Sequence, residues 1–279
     1  MSNKQKNNVI SWAWTVALAV IGFICIYPFL FMLSSSFKIS GDVLSKPMQL
    51  IPNPIIFSNF SDLFGDPYYD FGQWYINTIV MTGATILIKV FIVTITAYAF
   101  SKIHFKGRDV IFLVLLTSLM IPGDIMLIPR YIIFKQLHIL DTMWALVLPA
   151  TFDIYFVFMI RQAFIGIPES ISEAAKIDGC KHFQIYYRII LPLAKPSIVT
   201  MILFTFVWSW NDYMGPYIFI SSLEKQMLSV GIKLFTEGTV TDPALQMAAA
   251  TLVLVPVLAL FLFSQKYFVE GSTSGAVKG

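Results

Sequence analysis

Six apolar runs, at roughly 11–33, 74–100, 110–129, 142–160, 197–220 and 245–268, constrain this chain more than any other feature. A hydrocarbon layer ~30 Å thick takes about 20 apolar residues to cross as a helix. Stretches such as VIFLVLLTSLMIP and ATLVLVPVLALFLF lack the alternation of a membrane barrel strand, so they predict helices. Composition agrees: of 279 residues 57% are hydrophobic and 13% charged, with a mean hydropathy of +0.74, outside the range of water-soluble domains of this size. The fold class expected is an all-α integral membrane protein with six transmembrane helices. Lys4 and Lys6 precede the first run as in a signal peptide, but that run is too long for one, and FMLSSSFK is a poor cleavage site.

Charge sets the expected orientation. With the N-terminus inside, twelve Lys and Arg fall in cytoplasmic segments and six in outer loops, and Lys89 lies within a span. Both termini are therefore expected to be cytoplasmic. The net charge of +3 forms no patch that would suit nucleic acid, and Cys25 and Cys180 make no disulfide framework. The external 34–73 segment is rich in Pro, Asn and Asp, and reads as a structured loop or short helices. Its Asn59-Phe60-Ser61 triplet carries no weight as a glycosylation signal. Trp74, Trp144, Tyr68 and Tyr69 read as interfacial belt residues.

Residues 161–196 form the one long cytoplasmic connection. Pro168 stops the preceding span, and Ser170 with Glu173 spells a capping box. A short helix is expected to carry Ile171, Ala174, Ala175 and Asp178 on one face. Gly179 supplies the left-handed residue that ends it. A second short helix, with Phe183, Tyr186, Tyr187 and Ile190 on one face and Lys181, Gln184 and Arg188 on the other, leads through Pro192 and Pro196 into span five. The residues alone allow two readings: an amphipathic loop on lipid headgroups, or a docking element for a soluble partner.

The spacing Glu173-Ala174-Ala175, Gly179, Ile189, Leu191-Pro192 resembles the EAA loop of the permeases of ATP-binding-cassette (ABC) importers. The likeness to the carbohydrate, maltose-type branch runs along nearly the whole chain. It includes NTIVMTGATILIKVFIVTITAYAFSKIHFKGRD, MIPGDIMLIPRYIIFKQLHILDT, WSWNDYMGPYIF and the tail GSTSGAVKG. The resemblance implies a type I permease fold: an N-terminal part over 1–72, a core over 73–268 with the coupling loop at 161–196, and a cytoplasmic tail over 269–279. It also implies a bacterial inner membrane, a homologous second permease, two ATPase subunits and an extracytoplasmic solute-binding protein. Glu173, Ala174, Ala175, Asp178 and Gly179 would be the docking and hinge positions, and none is catalytic. ATP and Mg would be held by the partner ATPases and no cofactor by this chain, which has no GxxxxGK[ST] phosphate loop.

Charges inside spans are costly and mark pathways or helix ties. Asp212, with Trp210, Asn211 and Tyr213 beside it, is the preferred pore-lining residue, and tying helices together is its competing role. Asp153 and Asp124 are further candidates for the path. Asp124 follows Pro122-Gly123 at an expected helix break, and Lys89 pairs with a carboxylate or snorkels. The tail has the composition of a disordered end, whereas the resemblance places it near the ATPase interface. An ion-coupled secondary transporter or channel is the alternative function, but the chain shows no clear inverted repeat.

Overall fold

The computed structural model describes residues 3–65, 69–237 and 242–276, with side chains over 11–65, 69–233 and 242–265. In chain order the helices are α1 Asn3–Ser35, α2 Ser40–Ser45, α3 Ser58–Phe64, α4 Phe71–Lys102, α5 Arg108–Thr117, α6 Leu127–Gln136, α7 Trp144–Thr151 and α8 Ile154–Ile165. There follow α9 Glu169–Ile177, α10 His182–Ile185, α11 Leu191–Leu193, α12 Lys195–Trp210, α13 Met214–Phe219, α14 Leu228–Glu237 and α15 Pro243–Ala276. The chain forms two compact units, one of residues 1–71 with 232–256 and the other of 72–231 with 257–279.

Runs one, two and six are single long helices with the apolar length to cross a bilayer: Ser11–Ser35 within α1, Phe71–Lys102, and Pro243–Gln265 within α15. The other three expected spans are broken. Arg108–Met120 meets Gly123–Gln136 at 93° and Trp144–Thr151 meets Ile154–Ile165 at 40°, while the 78° bend between His182–Leu193 and Lys195–Trp210 falls just before the fifth run, where the loop was expected to lead into its span. The continuous helix expected over 110–129 fails because Pro122 pushes Ile121 into extended conformation, with φ −89° and ψ 115°. Over 142–160, Phe152 and Asp153 are both extended. Over 197–220, Asn211–Tyr213 separates α12 from α13.

In the first unit, the segment after α1 is structured, as expected. Asn59 is buried and its amide donates to the carbonyls of Ser36 and Lys38, each at 2.9 Å. The Ile56 amide donates to the Phe37 carbonyl at 2.8 Å, and Phe37 packs on Phe57 and Phe60. Asn59 is thus a structural tie between two chain segments.

In the second unit, two apolar clusters surround α4. One joins Val93, Ala97 and Tyr98 of α4 to Phe156, Ile160 and Phe164 of α8 and to Ile185, Tyr186 and Ile190. The other gathers Met81, Phe134, Ala145, Leu146, Phe219 and Met227. Trp74 is not a belt residue: it is fully buried and its Nε1–H donates to the Leu223 carbonyl at 2.7 Å. Gly231 makes room for it, since a Cβ there would overlap Trp74 Cε3 and stand 2.5 Å from Cδ2. Trp144 is exposed, and Tyr68 lies outside the described residues.

Asp141, in left-handed backbone at φ 57°, clasps the segment after α13. Its carboxylate accepts from the Ser221 and Ser222 amides at 3.0 and 2.9 Å, from Ser222 Oγ at 2.6 Å and from Lys225 Nζ at 2.8 Å. Partial burial would raise its pKa, but these donors outweigh it and hold the carboxyl well below the ordinary range.

Candidate functional site

The loop over 161–196 is mounted on α4 by three polar ties. Arg161 Nε donates to the Phe100 carbonyl at 3.1 Å while its guanidinium lies 4.3 Å from the Phe112 ring centroid. Lys102, at the end of α4, is buried; its Nζ donates to the Ile167 carbonyl at 2.7 Å and pairs with Glu169 Oε2 at 3.2 Å. Farther along, the hydroxyls of Tyr186 and Thr94 lie 2.8 Å apart, and Tyr186 packs on Tyr98. These contacts fix both legs of the loop against one helix.

Between the legs, α9 begins one residue before Ser170. Its N-cap is Pro168 and no side chain caps it, so the capping box expected of Ser170 and Glu173 does not form. An equivalent bond appears in the second leg, where Gln184 Oε1 accepts from the Lys181 amide at 2.8 Å. The inward side of α9 carries Ser172 and Ala175, both buried. The face expected to hold Ala175 with Ile171, Ala174 and Asp178 is therefore divided: Ala175 packs inward, while Ile171, Ala174 and Asp178 are exposed along with Glu173. Ile177 extends this outward surface and is 87% exposed.

Gly179 ends the helix at φ +84°, in the left-handed conformation expected of it. The Asp178 amide donates to the Ala174 carbonyl at 3.0 Å, that of Gly179 to Lys176 at 3.0 Å and that of Cys180 to Ala175 at 2.9 Å, which satisfies the last turn. Beyond it, the face expected to hold Phe183, Tyr186, Tyr187 and Ile190 is divided, because Ile185 takes an inward place. Ile185, Tyr186 and Ile190 are buried, Phe183 and Tyr187 are exposed, and Tyr186–Ile190 winds as a π-helical turn.

Of the residues expected to line a path, Asp124 and Asp212 do meet, in a cavity of about 250 Å³ whose walls include Arg130, Pro149, Ala150 and Gly215. Asp212 Oδ1 accepts from the Gly215 amide at 3.2 Å at the start of α13, and Arg130 interacts with Asp212 electrostatically. The others lie elsewhere. Trp210 is buried, stacked on Phe206 and edge-on to Tyr75, because the end of α12 packs inward. Asn211, the residue after α12, donates its side-chain amide to the Val207 carbonyl of that helix at 2.8 Å. Asp153 is committed twice: Oδ1 accepts from the Tyr155 amide and Oδ2 pairs with Lys89 Nζ, both at 3.1 Å.

Sequence reasoning missed Lys102, Arg130 and Ile185 as site residues. In the sequence Lys102 and Arg130 count only among the Lys and Arg that set the topology, and no local pattern marks a lysine that reaches 65 residues along the chain to Ile167.

Residues 91–272 match the family model described as "Binding-protein-dependent transport system inner membrane component". The chain is 30% identical over 278 residues to the arabinooligosaccharides transport system permease protein AraQ of Halalkalibacterium halodurans, covering 99% of each chain. It is 35% identical over 255 residues to the probable ABC transporter permease protein YurM of Bacillus subtilis, covering 91% of this chain and 84% of that one. Among solved structures, a bacterial ABC transporter involved in the import of the acidic polysaccharide alginate superposes with a TM-score of 0.84 at 24% identity, over 94% of this chain and 98% of that chain. With this fold, this loop and similarity along its whole length, the chain belongs to the inner-membrane permease components of binding-protein-dependent ABC importers.

Proposed function

We propose that this permease forms half of a translocation pathway for an oligosaccharide and takes its energy through α9 from a separate ATPase subunit. The observation that carries the reading is the mount of α9. The helix presents Glu173, Ala174, Ile177 and Asp178 outward, while Lys102, Tyr186 and the apolar cluster behind it hold its base. A helix lying on headgroups would need only an apolar underside, whereas a protruding knob on a braced base can transmit force. Gly179 sets the angle between the two legs.

In this reading two ATPase subunits bind ATP and Mg, a homologous second permease completes the pathway, and an extracytoplasmic binding protein delivers the cargo. Both termini are cytoplasmic, on the Lys and Arg bias. ATP binding moves α9 only if the ATPase binds one permease conformation better than the other, since differential affinity alone shifts an equilibrium. The oligosaccharide class rests on the arabinooligosaccharide permease among the relatives. Asp124 and Asp212, with Arg130, offer polar groups suited to sugar hydroxyls along the cargo's route.

Reconstitution in proteoliposomes tests this. ATP-driven uptake is expected only when this chain, its second permease, the ATPase and the binding protein are all present. Ion-gradient-driven uptake by this chain alone would overturn it.

A further inference from the structure

Lys89 and Asp153 form an ion pair between α4 and the start of α8. Lys89, on α4, is 4% exposed. Its Nζ lies 3.1 Å from Asp153 Oδ2 and 4.9 Å from the centroid of the Phe156 ring. Asp153 is the N-cap of α8, at the 40° break from α7. The far end of α8 turns through Gly166-Ile167-Pro168 into α9, and α7 on the other side of the break supplies Pro149 and Ala150 to the wall of the Asp124–Asp212 cavity.

The two ends of α8 are thus both tied to α4, by Arg161 at the Phe100 carbonyl and by Asp153 at Lys89. Next to the pair is a cavity of about 220 Å³ walled by Ile92, Thr96, Leu115, Ser118, Phe152 and Val157. Rigid helices and packed side chains with two discrete arrangements carry coupling between distant sites. Here α4 and α8 make one braced arm, and the extended residues Phe152 and Asp153, which also line that cavity, make its joint. A simple apolar contact would hold the two helices together at no cost in buried charge. The ion pair adds a directional tie at the end of the arm.

We propose that Lys89 and Asp153 are positioning residues that pin α8 to α4, so that displacement of α9 passes through the Phe152–Asp153 joint to α7 and the cavity wall instead of being lost as slip between helices. The inference rests on the proposed role of α9 in coupling to an ATPase. Its test uses the assembled complex with Cys25→Ser and Cys180→Ala, and Ala150→Cys as a reporter labelled by a membrane-impermeant maleimide. ATP with vanadate is expected to change the labelling rate at least roughly fivefold, the lower range of ordinary coupling factors.

In Lys89→Leu/Asp153→Asn both charges go while the cap acceptor stays, so no charge is left buried alone. This variant should assemble with the ATPase yet lose the nucleotide-dependent change, and Lys89→Arg should keep it. A full response in the double variant would overturn the pin, as would the absence of any response in the reporter protein with Lys89 and Asp153 intact. Failure of that reporter protein to copurify with the ATPase would instead overturn the coupling role of α9 itself.

Discussion

Replacing Gly179 with Val isolates the angle of the α9 turn from everything else in the loop. The residue sits at φ +84°, and a Cβ added there would meet no atom within 4 Å. The Cβ itself therefore meets no neighbour, and the penalty worked here is the conformational one. A side chain in left-handed backbone costs roughly 1–2 kcal/mol, and a β-branched one lies at the unfavourable end of that range. That penalty reduces the population of the native turn roughly 5- to 30-fold relative to relaxed alternatives. Because α9 is anchored by Lys102 and Ala175 at its base, the chain should relax at the turn, and the second leg should be redirected. Membrane insertion and thermal stability in detergent should change little. ATPase subunits recovered with the permease, or cargo moved per ATP hydrolysed, should fall by a factor in that range. Gly179→Asn is the control, since Asn tolerates left-handed backbone. Equal coupling by the Val and Asn variants, or unimpaired coupling by Val, would refute the role of the turn.

Lys102→Met removes the donor to the Ile167 carbonyl and the partner of Glu169, so amide exchange over 166–178 should quicken at least roughly tenfold, the lower end of the ~1.5–3 kcal/mol of a charged hydrogen bond. Unchanged exchange would mean that apolar packing alone holds the loop. Gly231→Ala drives a methyl into the buried Trp74 ring and strains its bond to Leu223, which should cost roughly 2–5 kcal/mol and appear as a lower unfolding temperature. Trp74→Leu in the same chain should recover part of the loss. The Asp141 clasp has a pH signature: its folded carboxyl titrates below the unfolded one, so its stabilisation is complete above about pH 4 and fades only as pH falls toward the folded value. Exchange of the Ser221 and Ser222 amides should be protected at pH 5 and exposed by Asp141→Ala; protection that survives this substitution would show that the clasp is dispensable.

Apolar runs are legible because their length answers to one number, the thickness of a bilayer, and all six coincide with helical stretches. Gly179 was legible because positive φ is a demand that few residues meet. Breaks were harder to read. Pro122 marked one, but Pro28 and Pro256 lie inside unbroken helices, so proline alone does not decide where a helix within lipid bends. The 3.6 period could not show which side of α9 faces inward, since Ile171, Ala174 and Ala175 are all apolar and the choice is made by Tyr186, Ile185 and α8 packing from outside the helix. Long-range polar ties such as Lys102 to Ile167 leave no local trace at all.

Where the carboxylates lie follows a common rule. Each break in a helix exposes amides that need an acceptor, and in an apolar surrounding an unmet amide is costly. Asp153 accepts from Tyr155 at the start of α8, Asp212 from Gly215 at the start of α13, and Asp242 from Ala244 and Leu245 at the start of α15. A half-buried aspartate beside a span therefore first marks a helix beginning, and only its remaining oxygen is available for other work. Asp153 has spent that oxygen on Lys89. Asp212 has not, among the described residues, and it faces the cavity shared with Asp124 and Arg130. Asp212→Asn keeps the cap acceptor and changes only the charge. If the free oxygen meets cargo, this variant should alter uptake while leaving the unfolding temperature within a degree or so of the parent, on the scale of roughly 2–4 °C per kcal/mol for chains of 150–250 residues. A substitution that lowers stability but leaves uptake intact would assign Asp212 to capping alone.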